Sequence, residues 1–294
     1  MKKSSTKKQN AKPVTIIAKN KAHLKILIYE AIAEFGPKCD LNFIDVSKVK
    51  DMSELFNGSV FNGDISNWNV SNVVDMHQMF MDSKFNGDIS KWDVSNVKDM
   101  SDLFNGSVFS GNISNWNVSN VADMFAMFMD SKFNGDISNW DVSSVTDMSF
   151  MFRKSKFNHD ISKWNVSNVN TMYGMFFHSK FNQDISNWDV SNVSSMRWMF
   201  CGSKFNGDIS SWNVSNVTDM SFMFRKSKFN HDISKWDVSN VTDMREMFWE
   251  SEFNQDIGDW DVSNAINHQR VFFHSAYRSR NPWSKKRLKR VPRE

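Results

Sequence analysis

Residues 133–152 read FNGDISNWDVSSVTDMSFMF, and the chain is built from copies of this phrase. With small variations, it begins again every 24 residues. Its first residue stands at Phe61, Phe85, Phe109, Phe133, Phe157, Phe181, Phe205, Phe229 and Phe253. A weaker copy fills the same positions from Pro37 to Phe56. Ten units of 24 residues therefore span residues 37–276, a pattern typical of a tandem-repeat array.

The composition agrees with one motif copied many times. The 294 residues include 26 Phe, 12 Trp and 19 Met but only 11 Gly and 4 Pro. Hydrophobic residues make up 40% of the chain, which is enough for a sizeable core. We therefore expect a folded solenoid in which neighbouring units bury a shared core.

Within one unit, the apolar residues follow neither a helical period nor simple alternation throughout. Ile65, Trp68 and Val70 have the LxxLxL spacing by which a leucine-rich repeat builds one short strand per coil. This spacing predicts a strand at Asn67–Ser71. The later segment Met76–Ser83 is predicted to be a helical turn that packs against the strand layer. The expected fold class is an α/β repeat, a leucine-rich-repeat-like solenoid with a parallel β ladder.

Short polar residues recur at fixed positions between the apolar ones. Asn62, Gly63, Asp64, Ser71 and Asn72 suit turns, because their side chains or flexible backbone accommodate local hydrogen bonding. Their copies are expected to stack into ladders along the solenoid and to satisfy backbone groups. The recurring aspartates are therefore predicted to be structural. Calcium binding is the alternative, but the glycine-rich nonapeptide pattern of calcium-binding β-rolls is absent.

One polar position, between the Trp and Val positions, alternates between acid and amide along the array. The residues there are Asp45, Asn69, Asp93, Asn117, Asp141, Asn165, Asp189, Asn213, Asp237 and Asp261. Stacked strands lie about 4.8 Å apart, where neighbouring carboxylates repel each other. We therefore predict that Asp and Asn in adjacent coils form hydrogen bonds.

The ends of the chain differ from the middle, because a solenoid needs caps over its open core. An amphipathic helix is predicted through His23–Ile32, and the last unit drifts from the repeat pattern. Four segments follow from these patterns. They are a basic disordered tail at 1–12, a helical N-terminal cap at 13–36, the array at 37–276 and a basic tail at 277–294.

Charge is unevenly distributed, although the net charge is only +3. Residues 1–25 carry eight Lys and no acid, whereas residues 26–277 hold 20 basic and 32 acidic residues. An acidic body thus lies between two basic ends. The basic residues Lys285, Lys286, Arg287, Lys289 and Arg290 are candidates for contact with nucleic acid or an anionic lipid surface. The alternative is a solvated tail without a ligand.

The sequence offers no membrane span and no apolar segment of a secretory signal near its beginning. Cys39 and Cys201 stand at non-equivalent repeat positions, so neither a disulfide nor a zinc framework is predicted. These features favour a cytoplasmic protein.

The repeat phrase resembles a known family. Residues 133–152, with Ser144 as a variant of the usual Asn, closely resemble the BspA-type leucine-rich repeats and the 25-residue repeats of Mycoplasma lipoproteins. The resemblance covers about 240 of the 294 residues. It implies a right-handed solenoid without known catalysis, with adhesion or protein binding at a cell surface as its usual role. The unit here has 24 residues, and no lipobox cysteine or wall-sorting tail is visible.

The constant tryptophans are expected in the core rather than on a sugar-binding platform, because each lies inside the LxxLxL frame. Positions that differ between the units are better candidates for a binding surface. The predicted partner-binding residues are Phe125, Phe150, Tyr173, Arg197, Trp198, Phe222 and Trp249. The alternative is that several of these side chains tuck between coils. Lys91, Lys163 and Lys235, beside the predicted strands, mark a second candidate surface.

No catalytic constellation, cofactor motif or metal-ligand spacing emerges, and the seven histidines share no spacing of metal ligands. We therefore expect a non-catalytic scaffold that binds a macromolecular partner, most simply another protein. Association with nucleic acid or an anionic surface through the basic ends is an alternative, and a carbohydrate-binding adhesin is another. The sequence does not identify the partner or the oligomeric state.

Overall fold

The computed structural model describes residues 15–284 of the chain. Its regular elements are β1 (Ile16–Ile17), α1 (Lys21–Phe35) and β2 (Ile44–Asp45), and β1 pairs with β2 in parallel. From there the chain winds as a repeat solenoid of tight turns. Isolated parallel bridges join residues that are 24 apart. The bridged column consists of Asp51, Asp75, Asp99, Asp123, Asp147, Thr171, Ser195, Asp219, Asp243 and Asn267.

Helix α1 packs on the first coil and includes residues 23–32, for which the sequence predicts a helix. Its N-terminus is capped by Asn20, whose side chain accepts a hydrogen bond from the His23 N–H at 3.0 Å. It ends at Gly36, where φ is +85° and the N–H donates to the Ile32 carbonyl. The helix buries Leu24, Ile28 and Ala31. The open end of the solenoid core is thereby shielded from water.

Aromatic rings stacked from coil to coil form the core. Phe80 lies 5.7 Å from Phe104, and Phe85 lies 6.4 Å from Phe109, with the rings nearly parallel in each pair. The two columns also touch each other, since the Phe80 and Phe85 ring centroids are 4.6 Å apart. Each ring therefore packs against rings of both columns in neighbouring coils, in the stacked geometry that aromatic pairs favour when offset.

The tryptophans that recur every 24 residues are buried, as predicted, and their indole N–H groups donate specific hydrogen bonds. The Trp92 Nε1–H donates to the Ile65 carbonyl at 3.1 Å, and Trp116 makes the equivalent bond to Ile89 at 3.0 Å. The indoles in this row are only 3–4% exposed. A buried carbonyl without a partner is costly, so the indole both fills the core and satisfies the preceding coil.

The predicted strand at Asn67–Ser71 is wrong, because side chains bend the backbone there. The Ser71 N–H donates to the Asn69 Oδ1 at 3.2 Å, and the Val73 N–H donates to the Val70 carbonyl at 2.9 Å. Such local bonds compete with a ladder between strands. The alternating acid and amide oxygens thus serve turns: at the equivalent position Asp45 accepts from the Ser47 N–H within its own coil.

The predicted helical turn at Met76–Ser83 is also wrong, because this segment carries the hydrogen bonds between coils. The Met76 N–H donates to the Asp99 carbonyl at 3.0 Å, and the Phe80 N–H donates to the Leu103 carbonyl at 3.0 Å. A helix would direct these amides to its own carbonyls four residues back. Here the next coil supplies the acceptors. The ladder of hydrogen bonds between coils therefore lies on residues 76–83, the segment whose apolar spacing resembles that of a helix.

The amides between these ladder bonds close successive turns. The Met79 N–H donates to the Met76 carbonyl at 3.1 Å, and Gln78 has φ +54°. A positive φ at the third residue is what a type II turn requires. The array imposes this left-handed backbone on equivalent residues in almost every coil.

Polar side chains complete the turns as predicted. Asp64 accepts from the Ser66 N–H at 2.8 Å, and its equivalents do the same, which confirms their structural role. The Asn96 Nδ2 donates to the Ser71 carbonyl of the preceding coil at 2.7 Å. Where Ser144 replaces that Asn, its Oγ donates to the equivalent carbonyl at 2.6 Å. The position therefore requires a donor.

Aromatic residues close the other end of the array. Tyr277 occupies the next position of the phenylalanine column and stacks on Phe253 at 6.2 Å and on Phe272 at 4.1 Å. Trp283 stacks on His268 at 5.2 Å. The packed structure thus continues beyond residue 276 into the segment predicted to be a basic tail.

The column of bridged aspartates concentrates negative charge. Burial raises the pKa of the Asp123 carboxyl, and the charges of Asp99 and Asp147 raise it further, although the Phe125 N–H opposes the shift by donating to the carboxylate. By contrast, hydrogen bonds from Ser138 lower the pKa of the exposed Asp136.

We expect Trp164→Phe to destabilise the array by about 1–3 kcal/mol, because the buried Ile137 carbonyl loses its indole donor. Urea unfolding followed by circular dichroism measures the change. Lys163→Asn is the matched control, since Lys163 is exposed and equivalent coils carry Asn115 and Asn139. An unchanged midpoint for the tryptophan variant would contradict the role assigned to its hydrogen bond.

We expect Asp123→Asn to raise the melting temperature at pH 7 by about 1–3 °C, since Asn keeps an acceptor and removes a disfavoured charge. A raised folded-state pKa means that the charged carboxyl costs stability at neutral pH, so this advantage shrinks as pH falls through that pKa. Asp136→Asn should have the opposite sign at pH 7, and its effect should fade below about pH 4. Melting curves from pH 3 to 7 test both signs, and identical profiles would refute the assignment.

Candidate functional site

Most of the predicted partner-binding residues contact one another on the segment that carries the hydrogen bonds between coils, equivalent to residues 76–83 of the second unit. Ring centroids connect Phe125 to Phe150 at 5.9 Å, Phe150 to Tyr173 at 4.5 Å, and Tyr173 to Trp198 at 5.7 Å. Trp198 then contacts Phe222 at 5.7 Å. One continuous row of rings thus crosses several coils.

Arginines lie against these rings. The Arg153 guanidinium carbon is 5.4 Å from the Phe150 centroid and 5.4 Å from the Phe177 centroid. Trp249 lies apart from the main row, with Arg225 4.4 Å from its centroid. We call the whole set the aromatic–arginine band. Its members are Phe125, Phe150, Arg153, Tyr173, Phe177, Arg197, Trp198, Phe222, Arg225 and Trp249.

The seven predicted partner-binding residues are all half-buried. They are thus neither fully exposed, as a binding surface would have them, nor fully tucked between coils. The rings pack across coils while part of each side chain meets solvent. Phe150 shows why: a Cβ added at Gly174 would lie 2.5 Å from its ring, so the ring rests directly on the next coil's glycine. The band is therefore a packed and partly exposed surface.

Several band residues have a backbone conformation that bulky side chains rarely adopt. φ is +57° at Phe150, +59° at Trp198 and +61° at Phe222. Equivalent coils place Gln78 or Gly174 in the same left-handed position. The fold thus dictates the backbone but not the ring, and no packing rule of the repeat calls for these aromatics.

Several cations in and beside the band have an acidic partner. The Arg245 guanidinium pairs with Asp243 at 2.8 Å, and the Arg225 Nε lies 3.2 Å from Glu246. Lys226 and Lys154 pair with the exposed carboxylates of Glu250 and Asp130, respectively. Among residues 15–284, neither Arg153 nor Arg197 forms an ion pair.

Sequence reasoning missed a group at the front of the same face. Asp75, His77 and Asp99 offer oxygen and nitrogen atoms within 4.8 Å of one another. The His77 Nδ1 lies 2.9 Å from the Asp75 Oδ1, and its Nε2 lies 3.8 Å from Glu54. The signal was the 24-residue step between the two aspartates. These mutual contacts are consistent with a surface polar cluster.

Both cysteines are buried and free. Burial raises the pKa of the Cys201 thiol to about 11, and burial also raises the pKa of Cys39. A protonated thiol is a weak nucleophile. Cys201 therefore contributes packing beneath the band and no reactive group.

The second candidate surface has a different character. Lys91, Lys163 and Lys235 are exposed, and Lys235 borders a polar groove of about 410 Å³. The Asp232 carboxylate in this groove accepts from the Ser234 N–H at 2.8 Å, so it is already part of a turn. Solvated side chains dominate this surface.

The predicted basic-tail residues Lys285, Lys286, Arg287, Lys289 and Arg290 lie outside the described residues. Within residues 15–284, no helix has the length and apolar character needed to cross a membrane.

The chain matches the sequence model of one protein family. A family model described as "Mycoplasma protein of unknown function, DUF285" matches residues 27–132, 107–204 and 177–285. Neither a curated protein nor a solved structure matches the chain. The overlapping matches agree with a repeated unit. Since they jointly cover residues 27–285, which include the whole array, the chain belongs to the DUF285 family, a repeat domain of unknown function.

Proposed function

We propose that the protein is a non-catalytic scaffold that binds a protein partner through the aromatic–arginine band. The observation that carries the proposal is a continuous row of half-exposed rings and arginines at positions where the fold accepts other residues. Aromatic residues and arginine are enriched at the energetic centres of protein interfaces. Their concentration on one segment therefore favours protein recognition.

The constant polar residues support a role without catalysis. Asp219 accepts from both the N–H and the Oγ of Ser221, and this Asp-x-Ser arrangement recurs along the column. Side chains that build turns are committed to the backbone and are poor general bases or nucleophiles. The variable residues, in turn, are mostly rings and arginines rather than catalytic groups.

We further propose that the array is a right-handed solenoid of ten coils related to the BspA-type leucine-rich repeats. The support is the repeat phrase itself, including the Asp-Ile-Ser and Trp-Asp-Val-Ser elements of residues 133–152. A repeat that carries its core in constant residues leaves its variable positions available for different partners.

The band is tested by exchanging its rings for residues that other coils carry at the same positions. The variant Tyr173→Ser, Trp198→Gln, Phe222→Gln and Trp249→Asn copies Ser149, Gln78 and Asn105, so it should fold, and it retains Arg197. We expect it to lose about 90% or more of the proteins captured by the wild-type chain, a loss of at least tenfold in binding. Capture from cells that make the protein, quantified by mass spectrometry, provides the measurement.

Lys91→Asn, Lys163→Asn and Lys235→Asn together form the control, which changes the second candidate surface to a residue found at equivalent positions. Circular dichroism verifies that both variants are folded. Retention of the same captured proteins by the ring variant, or their loss in the lysine control alone, would overturn the choice of surface.

A further inference from the structure

Arg197 lies in a cage of three aromatic rings. Its guanidinium carbon is 5.2 Å from the Trp198 centroid, 5.4 Å from Phe222 and 5.8 Å from Tyr173. These rings come from three successive coils. Rings that exclude water around a cation strengthen its electrostatic interactions.

A comparison with Arg245 shows what this cage lacks. Arg245 occupies the same repeat position two coils later, and Asp243 neutralises it with contacts of 2.8 and 3.1 Å. The residue equivalent to Asp243 beside Arg197 is Ser195, and Thr171 stands in the preceding coil. The column of aspartates is thus interrupted where Arg197 would find its carboxylate.

The guanidinium is consequently unsatisfied. Its Nε is fully buried without an acceptor, and within residues 15–284 no side chain or carbonyl accepts a hydrogen bond from it. No ligand reaches this buried Nε, but the two terminal nitrogens also lack an acceptor within residues 15–284, and they are the donors that a ligand atom can meet. The site is therefore built for an acceptor that the described chain does not provide.

A positive field acts on His178, beside the band. His178 lies in the coil before Arg197, and burial lowers its pKa. The charges of Lys154, Lys226 and Arg153 lower it further, which marks a locally positive region. This region lies within a body whose residues 26–277 hold 20 basic and 32 acidic residues. The positive spot is thus local.

We propose that the Arg197 cage receives a carboxylate from an acidic segment of the protein partner, with the rings flanking that side chain. This inference rests on the proposed function and names the chemistry of its partner. Arginine binds carboxylates with charge-assisted and often bidentate hydrogen bonds. The ring faces supply apolar contact for neighbouring residues of the segment.

The charges favour a protein segment over nucleic acid. Binding to nucleic acid draws on several cations that neutralise successive phosphates. In and beside the band, Arg225, Arg245 and Lys226 are already paired with carboxylates, and Glu246 and Glu250 would repel a phosphate chain. Within the described part of the chain, Arg153 and Arg197 are left without an ion pair, and each lies between rings, an arrangement that suits a single carboxylate at each arginine better than a run of phosphates.

The test uses the purified full chain and two fluorescent 12-residue peptides, one alternating Glu and Tyr and the other alternating Gln and Tyr. Binding is followed by fluorescence anisotropy, with labelled oligothymidine of 12 nucleotides as a third probe. We expect Arg197→Ser to weaken Glu–Tyr binding about tenfold or more, because a charged pair is lost. We expect the Gln–Tyr peptide to bind the wild-type chain about tenfold more weakly for the same reason.

Two further variants separate the cage from general charge. Ser195→Asp introduces the carboxylate that Arg245 has in Asp243. It should pair with Arg197 within the chain and weaken binding of the Glu–Tyr peptide by about five- to tenfold. Arg245→Ser removes an arginine that is already neutralised and should change affinity less than about twofold. Both substitutions introduce residues that other coils carry at the same positions, as does Arg197→Ser.

Three outcomes would overturn the inference: no binding of the Glu–Tyr peptide, equal binding of the Gln–Tyr peptide, or binding of oligothymidine that depends on Arg197. An equal loss in Arg197→Ser and Arg245→Ser would do so as well. The ring variant tested by capture retains Arg197. Loss of captured partners there, together with failure of the acidic peptide, would therefore remove only the present inference.

Discussion

Hydrogen bonds between the backbone groups of successive coils hold the array together and set its register. The amide of Met76 finds its acceptor in Asp99, and Asp99 belongs to a coil whose Met100 amide reaches Asp123 in turn. A coil alone leaves these groups unpaired, which is costly once the core is dry. The unit length is therefore held at 24 residues, and the rings, indoles and turn-forming aspartates all inherit that register.

The register explains which structural features could be predicted from the sequence. The repeat period, the buried tryptophans and the turn role of Asp64 follow from residue types and constant spacing. The position of the ladder does not, because Ile65, Trp68 and Val70 share the spacing of a leucine-rich strand. Positions with a left-handed backbone, such as Gln78, are mostly not glycine, so the sequence gives no signal for that conformation. Neighbouring coils, rather than local propensity, decide the backbone there.

For the candidate surface, the sequence likewise predicted which residues take part but not how they pack. Comparing the coils with one another identified Tyr173, Trp198 and Phe222 as variable, and the structure joins them into one row. Their partial burial depends on the residue one coil away, which a single unit does not specify. The contrast between Arg197 and Arg245 was present in the sequence as Ser195 against Asp243, but its meaning requires knowing that each pair shares one column.

The closed ends of the solenoid have a consequence for how such a protein changes length. Helix α1 seals one end, and Tyr277 with Trp283 seals the other, whereas every internal junction presents the same stacked rings and the same carbonyl acceptors. New coils enter such an array between existing ones, since only there do both faces of an added unit find their complement. Insertion at one junction then lengthens the spacer between a seal and the band and leaves both undisturbed. The number of coils therefore sets the separation between a capped end and the aromatic–arginine band.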